Sequence, residues 1–337
     1  MITVEHLTKC YGDFQAVKDL SFQIEDGHVY GFLGPNGAGK STTMNMMTGC
    51  LSATSGQVKI DGLDIFSDAK EARKLIGYLP EQPPLYLSET PREYLRFVGR
   101  AKGLKEPELS RQIGEVIQKT RLKDVENRLI SALSKGYRQR VGIAQALLGS
   151  PRVIILDEPT VGLDPIQIIE IRDLIRELGR EHTVILSSHI LSEVQTLCEK
   201  ILIISKGELM AFDTPANLEE QLRTSAELLF TADAPLEPTK ALAEGLSFVT
   251  HASFEAQSDG TTAVQLQTDL EDLQEASRRL FFAFAEEGIA LLEIRIRKAN
   301  LEDIFLELTE SGQDCPLPPE APAPAADTEP EKEDAPQ

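Results

Sequence analysis

A chain of 337 residues with 41 % hydrophobic side chains can bury a substantial core and hold one large domain or two ordinary ones. Its 34 basic against 54 acidic residues, a net charge of -20, count against a surface that tracks the phosphates of DNA, RNA or anionic lipid, because such surfaces need excess Lys and Arg. Cys10, Cys50, Cys198 and Cys315 show neither CxxC pairing nor metal-ligand spacing, and "MITVEHLTKC" lacks a cationic then apolar leader. Apolar runs such as "VIIL" fall far short of the roughly 20 residues that span a bilayer, so a reduced cytoplasmic setting with a peripheral membrane role at most is expected.

From Met1 to Thr214, short β-branched runs alternate with helical patterns: "ITVEHL", "HVYGFLG", "QVKIDG", "KLIGYLP", "RVIILDEP", "TVILSSH" and "ILIISKGEL". The alternation predicts an α/β domain with a largely parallel sheet. Between Glu81 and Ser150 helices dominate. There "TPRE" supplies a capping box, with Thr90 as N-cap, Pro91 at the first helical position and Glu93 reaching back, so a helical subdomain is expected between strands.

Past Pro215 the order becomes "AELLFTA", a helix near Thr239 to Glu244, "LSFVTHASF", "TTAVQLQ", the amphipathic "DLQEASRRLFFAFAEEG" and "ALLEIRIR". Strand, helix, strand, strand, helix, strand is the order of a small α+β, ferredoxin-like domain, expected over 216–310 and closing with the helix "NLEDIFLELTE". No repeat of 20 to 50 residues recurs. The last stretch, 311–337, holds seven acids, one lysine and seven of the 19 prolines, and is expected to be a disordered tail.

After the strand "HVYGFL" stands "GPNGAGKST": Gly34, four residues, Gly39, Lys40 and Ser41. This is P-loop spacing, strand then loop then helix, in which glycines let backbone N–H groups face phosphates. Lys40 would neutralise the β and γ phosphates and Ser41 would hold Mg²⁺. Met44, Met46 and Met47 in the following helix read as core filler. In "RVIILDEPT" a hydrophobic strand ends in Asp157 and Glu158, and in "TVILSSH" another ends in His189. Ligands of such sheets bind beyond the carboxyl ends of the strands, which suits Asp157 on Mg²⁺, Glu158 on the attacking water and His189 on the γ-phosphate.

"LSKGYRQRVG", Leu133 to Gly142, groups Lys135, Arg138 and Arg140. By composition it is a basic patch, a solvated helix start, or half of a site completed elsewhere.

Together these motifs resemble the ATP-binding cassette ATPases, the nucleotide-binding subunits of ABC transporters, over 1–215. The resemblance rests on Walker A "GPNGAGKST", signature "LSKGYRQR", Walker B "VIILDE", the D-loop "GLD" ending at Asp164 and the switch histidine of "SSH". It implies a P-loop cassette with an inserted helical subdomain at about 81–150, and nucleotide binding by Gly34, Pro35, Asn36, Gly37, Ala38, Gly39, Lys40, Ser41 and Thr42. Tyr11 of "KCYGDFQAV" would stack on adenine. Catalysis would fall to Glu158, His189 and Lys40, with Mg²⁺ on Ser41, Asp157 and the Q-loop residue.

The family's Q-loop glutamine aligns with Glu81, one position before Gln82. Ser134, Lys135, Gly136 and Tyr137 would serve as a signature acting on nucleotide held by another cassette, so that "LSKGYRQRVG" becomes half a site whose cations support an anion. Lys135 stands where the family usually has glycine, and Tyr137 where it usually has glutamine. Because the chain has one P-loop and one signature, the resemblance implies a dimer, with itself or a paralogue, coupled through Asp164. The C-terminal segment resembles ATPases of drug-export and gliding-motility systems, implying export through a separate permease from the inner membrane face, with no nucleic-acid partner. A soluble ABC ATPase working on ribosomes or DNA is the competing expectation; members of that kind carry paired cassettes or long coiled-coil insertions.

Overall fold

The structure, a computed structural model, describes residues 1–221, 227–268, 270 and 272–297. The chain starts with β1 (Ile2–Tyr11) and β2 (Phe14–Ile24), then β3 (Val29–Leu33), whose loop enters α1 (Lys40–Met47). It continues through β4 (Ser55–Ile60), β5 (Leu63–Asp64), α2 (Ala69–Ala72) and β6 (Ile76–Leu79) to a helical block of α3 (Pro91–Ala101), α4 (Glu108–Lys119) and α5 (Lys135–Leu147). After the block come β7 (Val153–Leu156), α6 (Pro165–Leu178), β8 (Thr183–Ser188), α7 (Leu191–Leu197), β9 (Lys200–Ser205), β10 (Glu208–Asp213) and α8 (Pro215–Gln221).

The central sheet runs β10-β9-β3-β8-β7-β6, parallel except at the β10 edge. Every residue of β3, β7 and β8 is buried, because parallel strands are covered on both faces and so read as unbroken apolar runs. One face packs against the helical block through Leu95, Ile113, Ile117, Val141 and Ile143. The other packs against a second sheet through Tyr30, Phe32, Met44, Met46 and Met47, which fill that core as expected. Each fully buried Leu, Ile or Phe in these layers contributes about 2 kcal/mol by leaving water.

The second sheet, β2-β1-β4-β5, is antiparallel throughout and was not anticipated from the sequence. Strand β2 hides its period because its pairing with β1 shifts register around Leu7, Lys9 and Cys10. Only Leu20, Phe22 and Ile24 keep the alternation of a half-buried strand. The single run "ILIISKGEL" is two strands, divided where Lys206 takes a φ of 50°. The helical block begins as expected: Thr90 accepts from Glu93 N at 3.3 Å, and Glu93 Oε2 accepts from Thr90 N at 3.0 Å.

Beyond α8 lie β11 (Glu227–Ala232), α9 (Leu236–Glu244), β12 (Val249–Ala256), β13 (Thr262–Thr268), α10 (Leu273–Glu286) and β14 (Leu291–Arg297). Their sheet order is β12-β13-β11-β14, antiparallel at every pairing, with a core of its own around Phe230, Leu266, Leu280 and Phe284. The expected helix "NLEDIFLELTE" and the acidic tail lie outside the described residues. Among the described residues, no helix is long and apolar enough to cross a membrane.

Candidate nucleotide site

Parallel register brings the carboxyl ends of the central strands together: Leu33 pairs with Ser188, and Leu156 with Leu186. The loop leaving β3 is pressed against neighbouring backbone. A Cβ on Gly34 would stand 2.3 Å from Ile204 O, and one on Gly39, at φ 102°, 2.7 Å from Ala16 O, so both positions require glycine. No side chain caps the N-terminus of α1, which leaves the positive end of the helix directed into the cleft.

Lys40, 5 % exposed, donates from Nζ to Gly34 O at 2.8 Å and Pro35 O at 3.2 Å, and stands 3.6 Å from Glu158 Oε1. Burial pushes its ammonium below the ordinary lysine value; Glu158 foremost, then Asp157 and Glu81, pull it back up. Asp157 Oδ1 accepts from Ser41 Oγ at 3.1 Å and from Ser187 Oγ at 2.6 Å. Ser187 Oγ in turn accepts from Glu158 N at 2.8 Å.

Glu158 takes a φ of 47°, a left-handed conformation rare for a non-glycine residue and a common mark of a site held under local strain. The turn separates the two adjacent acids: Asp157 faces Ser41, while Glu158 faces Lys40 and, at 3.0 Å from Oε2, Nδ1 of His189. The resulting cleft has a volume of about 490 Å³. Tyr11, Lys40, Ser41, Glu81, Glu158 and His189 line it, with Asn36, Gly37, Gly39 and Thr42 contributed by the loop and the start of α1. Gly34, Pro35 and Ala38 shape the loop from outside this lining. Glu81 reaches the cleft wall whereas Gln82 is not among the lining residues. Tyr11 is 45 % exposed, and the Lys9 ammonium lies 5.1 Å from its ring centroid.

The sequence reading had not singled out Phe14, Ala16 and Val161, which also line the cleft, or Ser187, which ties Asp157 to Glu158. Ser187 had a signal in the polar doublet of "SSH". The other three are ordinary apolar residues with no chemical signature.

Ser134, Lys135, Gly136 and Tyr137 stand apart from the cleft lining. Ser134 caps α5, accepting from Tyr137 N at 3.4 Å, and Asp164 caps α6, accepting from Gln167 N at 2.9 Å. The two caps adjoin: a Cβ on Gly136 would stand 2.5 Å from Gln167 Oε1, and one on Gly162 would stand 2.1 Å from Lys135 Nζ. The three cations of this stretch do not share one role. Arg138 donates to Ile130 O at 3.1 Å and Ser131 O at 2.7 Å, and buried Arg140 binds Glu170 and Thr120 O. Arg138 and Arg140 are thus committed within the chain, which corrects the expectation that all three support an anion.

The ABC transporter family pattern matches residues 17–161. The chain is 33 % identical over 311 residues to the ABC transporter ATP-binding protein YxlF of Bacillus subtilis, covering 92 % of this chain and all of that protein. The chain belongs to the ABC transporter ATP-binding family. It is 35 % identical to the bacitracin transport ATP-binding protein BcrA of Bacillus licheniformis, covering 93 % of this chain and 98 % of that one. The linearmycin resistance ATP-binding protein LnrL of Bacillus subtilis is 33 % identical over 92 % of this chain and 98 % of its own length.

Among solved structures, the ATP-binding subunit of an ABC transporter aligns at a TM-score of 0.60 and 31 % identity, covering 66 % of this chain and 92 % of that one. A dimeric ATP-binding cassette in a post-hydrolysis state, bound to ADP and Pi, aligns at 0.58 and 27 %, covering 64 % of this chain and 98 % of that one. The chain is therefore an ATP-binding, ATP-hydrolysing cassette of an ABC transporter.

Proposed function

We propose that this cassette powers export by a separate membrane permease, closing as a dimer on ATP and opening after hydrolysis. The arrangement of Glu158, between Lys40 at 3.6 Å and His189 at 3.0 Å, carries the hydrolytic part of this reading. In it the P-loop amides and Lys40 hold the phosphates, and Glu158 orients and deprotonates the attacking water. His189 fixes the Glu158 carboxylate and reaches the γ-phosphate, and Tyr11 packs against the base. The Ser41 hydroxyl and the Asp157 carboxylate, 3.1 Å apart, with Glu81 at the wall, are the hard oxygen donors that Mg²⁺ prefers, so the residues fit that ion. When bound, Mg²⁺ would neutralise charge developing on the phosphates. Ser134, Lys135, Gly136 and Tyr137 then complete the partner's site, with Asp164 between the two halves.

An exposed apolar patch supports the permease. Tyr86, Leu87, Phe97 and Leu129 are each about half exposed, and the Tyr86 and Phe97 rings lie 5.1 Å apart. The patch is joined to the signature: Leu87 O accepts from Ser131 N at 3.0 Å and Glu89 O from Ile130 N at 2.9 Å, while Arg138 grips the carbonyls of both partners. A membrane helix pressing on the patch would therefore move the start of α5. Transport and resistance in the names of BcrA and LnrL support export, and in this reading the protein works at the inner membrane face. We assign 1–215 to the cassette, 216–310 to the small α+β domain and 311–337 to the tail.

The test is Glu158→Gln in the full chain with Mg²⁺ and ATP. Turnover should fall below about one hundredth of wild type, while ATP stays bound and dimers accumulate. Wild-type hydrolysis in that variant would refute Glu158 as the base.

A further inference from the structure

Outside the phosphate contacts lies a buried carboxylate that the mechanism above leaves idle. Glu193, in the first turn of α7, is 4 % exposed. Its Oε2 accepts from Thr160 Oγ1 at 2.7 Å and from Ser188 Oγ at 3.1 Å, and its Oε1 stands 3.2 Å from the Arg172 guanidinium. The Arg172 guanidinium balances its charge at this depth, and a carboxylate is a stronger acceptor for two hydroxyls than a neutral oxygen would be.

The two hydroxyls belong to the two arms of the reacting pair. Thr160 lies two residues beyond Glu158, in the turn where Val161 N donates to Glu158 O at 3.2 Å and Leu163 N to Thr160 O at 3.2 Å. Ser188 immediately precedes His189, and its Oγ also accepts from Ile190 N at 3.0 Å, so it fixes the chain on both sides of the histidine. Ser187 anchors the Walker B turn at Glu158 N; Thr160 anchors its other end. With φ at 47°, Glu158 depends on both anchors to aim its side chain.

We propose that Glu193 is a positioning residue that sets the spacing of Glu158 and His189 by holding Thr160 and Ser188 on a single oxygen. The proposal rests on the reading of Glu158 and His189 as the hydrolytic pair. A role confined to starting α7 would lower the melting temperature and leave the catalytic constants alone. A positioning role acts on turnover, because misplacing a reacting group by a fraction of an ångström costs rate without weakening substrate binding.

The experiment uses the full chain with Mg²⁺ and ATP and compares Glu193→Ala, Thr160→Val, Thr160→Ser and Glu158→Gln. For Glu193→Ala and Thr160→Val, kcat should fall about tenfold or more with KM for ATP within about twofold of wild type. Combining Glu193→Ala with Thr160→Val should lose little beyond Glu193→Ala alone, because the contact that Thr160→Val breaks is already gone. Thr160→Ser, which keeps the hydroxyl, should recover most of the lost kcat. Unchanged kcat in Thr160→Val, or equal losses in Thr160→Val and Thr160→Ser, would overturn the proposal even if Glu193→Ala fails to fold for want of a partner to Arg172. If Glu158→Gln hydrolyses ATP normally, the underlying reading fails; if it is inactive while Thr160→Val is normal, only the role of Glu193 fails.

Discussion

Lys135 occupies the first helical position of α5, where the macrodipole is positive and a cation is disfavoured by about 0.3–1 kcal/mol. Its ammonium rests against Gly162, beside the cap of α6, on the face proposed to meet a partner's nucleotide. An anion there would turn the unfavourable position into a favourable one. Lys135→Gly, made in the Glu158→Gln background, should shorten the lifetime of the ATP-bound dimer about two- to fivefold with ATP affinity of the single chain unchanged. Light scattering after dilution reads the lifetime, and equal lifetimes would leave Lys135 a spectator. Residue-scale chemistry was legible where backbone geometry forces the sequence: only glycine fits at Gly34 and Gly39, so the P-loop shows itself as spacing. Glu193 gave no such signal, since its partner Thr160 lies 33 positions away and meets it only once β7 and β8 lie side by side.

At the scale of elements, α5 is held at both ends. Ser134 caps its start, and at its finish Lys102 Nζ donates to Gln145 O at 3.0 Å, Ala146 O at 3.3 Å and Leu148 O at 2.7 Å. A cation on the last carbonyls of a helix suits the negative end of the dipole. Burial nevertheless pushes the Lys102 ammonium down to about 8 from the ordinary 10.5. Between these values the unfolded chain keeps a proton that the folded chain has released, so stability attributable to Lys102 rises as pH goes from 8 to 10.5. Urea midpoints across this window should climb more in wild type than in Lys102→Met; parallel curves would show that the three carbonyls offset the burial.

The capping box of α3 and the runs of β3, β7 and β8 were legible because they are local patterns. The antiparallel sheet was not, because β2 matches β1 only through register shifts that blur its period.

In the whole molecule, three cores divide the described residues, and Leu218 of α8 belongs to the core that backs the helical block. Helix α8 therefore packs with the cassette, so a truncation meant to keep that core whole should end at Gln221, past the expected boundary at 215. A chain ending there should bind ATP as the full chain does, since among the described residues none beyond His189 lines the cleft. If the C-terminal domain braces the dimer, the same truncation should weaken dimerisation, and unchanged assembly by light scattering would remove that role. The strand and helix order of this domain was legible from its turns and periods. Its task was not, because no residue in it carries recognisable chemistry.

That the signature stands away from the cleft of its own chain has a genetic consequence. Lys40→Ala ruins a chain's P-loop and Gly136→Asp its signature, and each variant alone should be inactive. Mixed in equal amounts and allowed to exchange subunits, half of the dimers carry one of each, and each such dimer has one site built wholly from intact halves. Two dead proteins should together regain about a quarter of wild-type turnover, whereas a site completed within one chain would stay silent at every ratio.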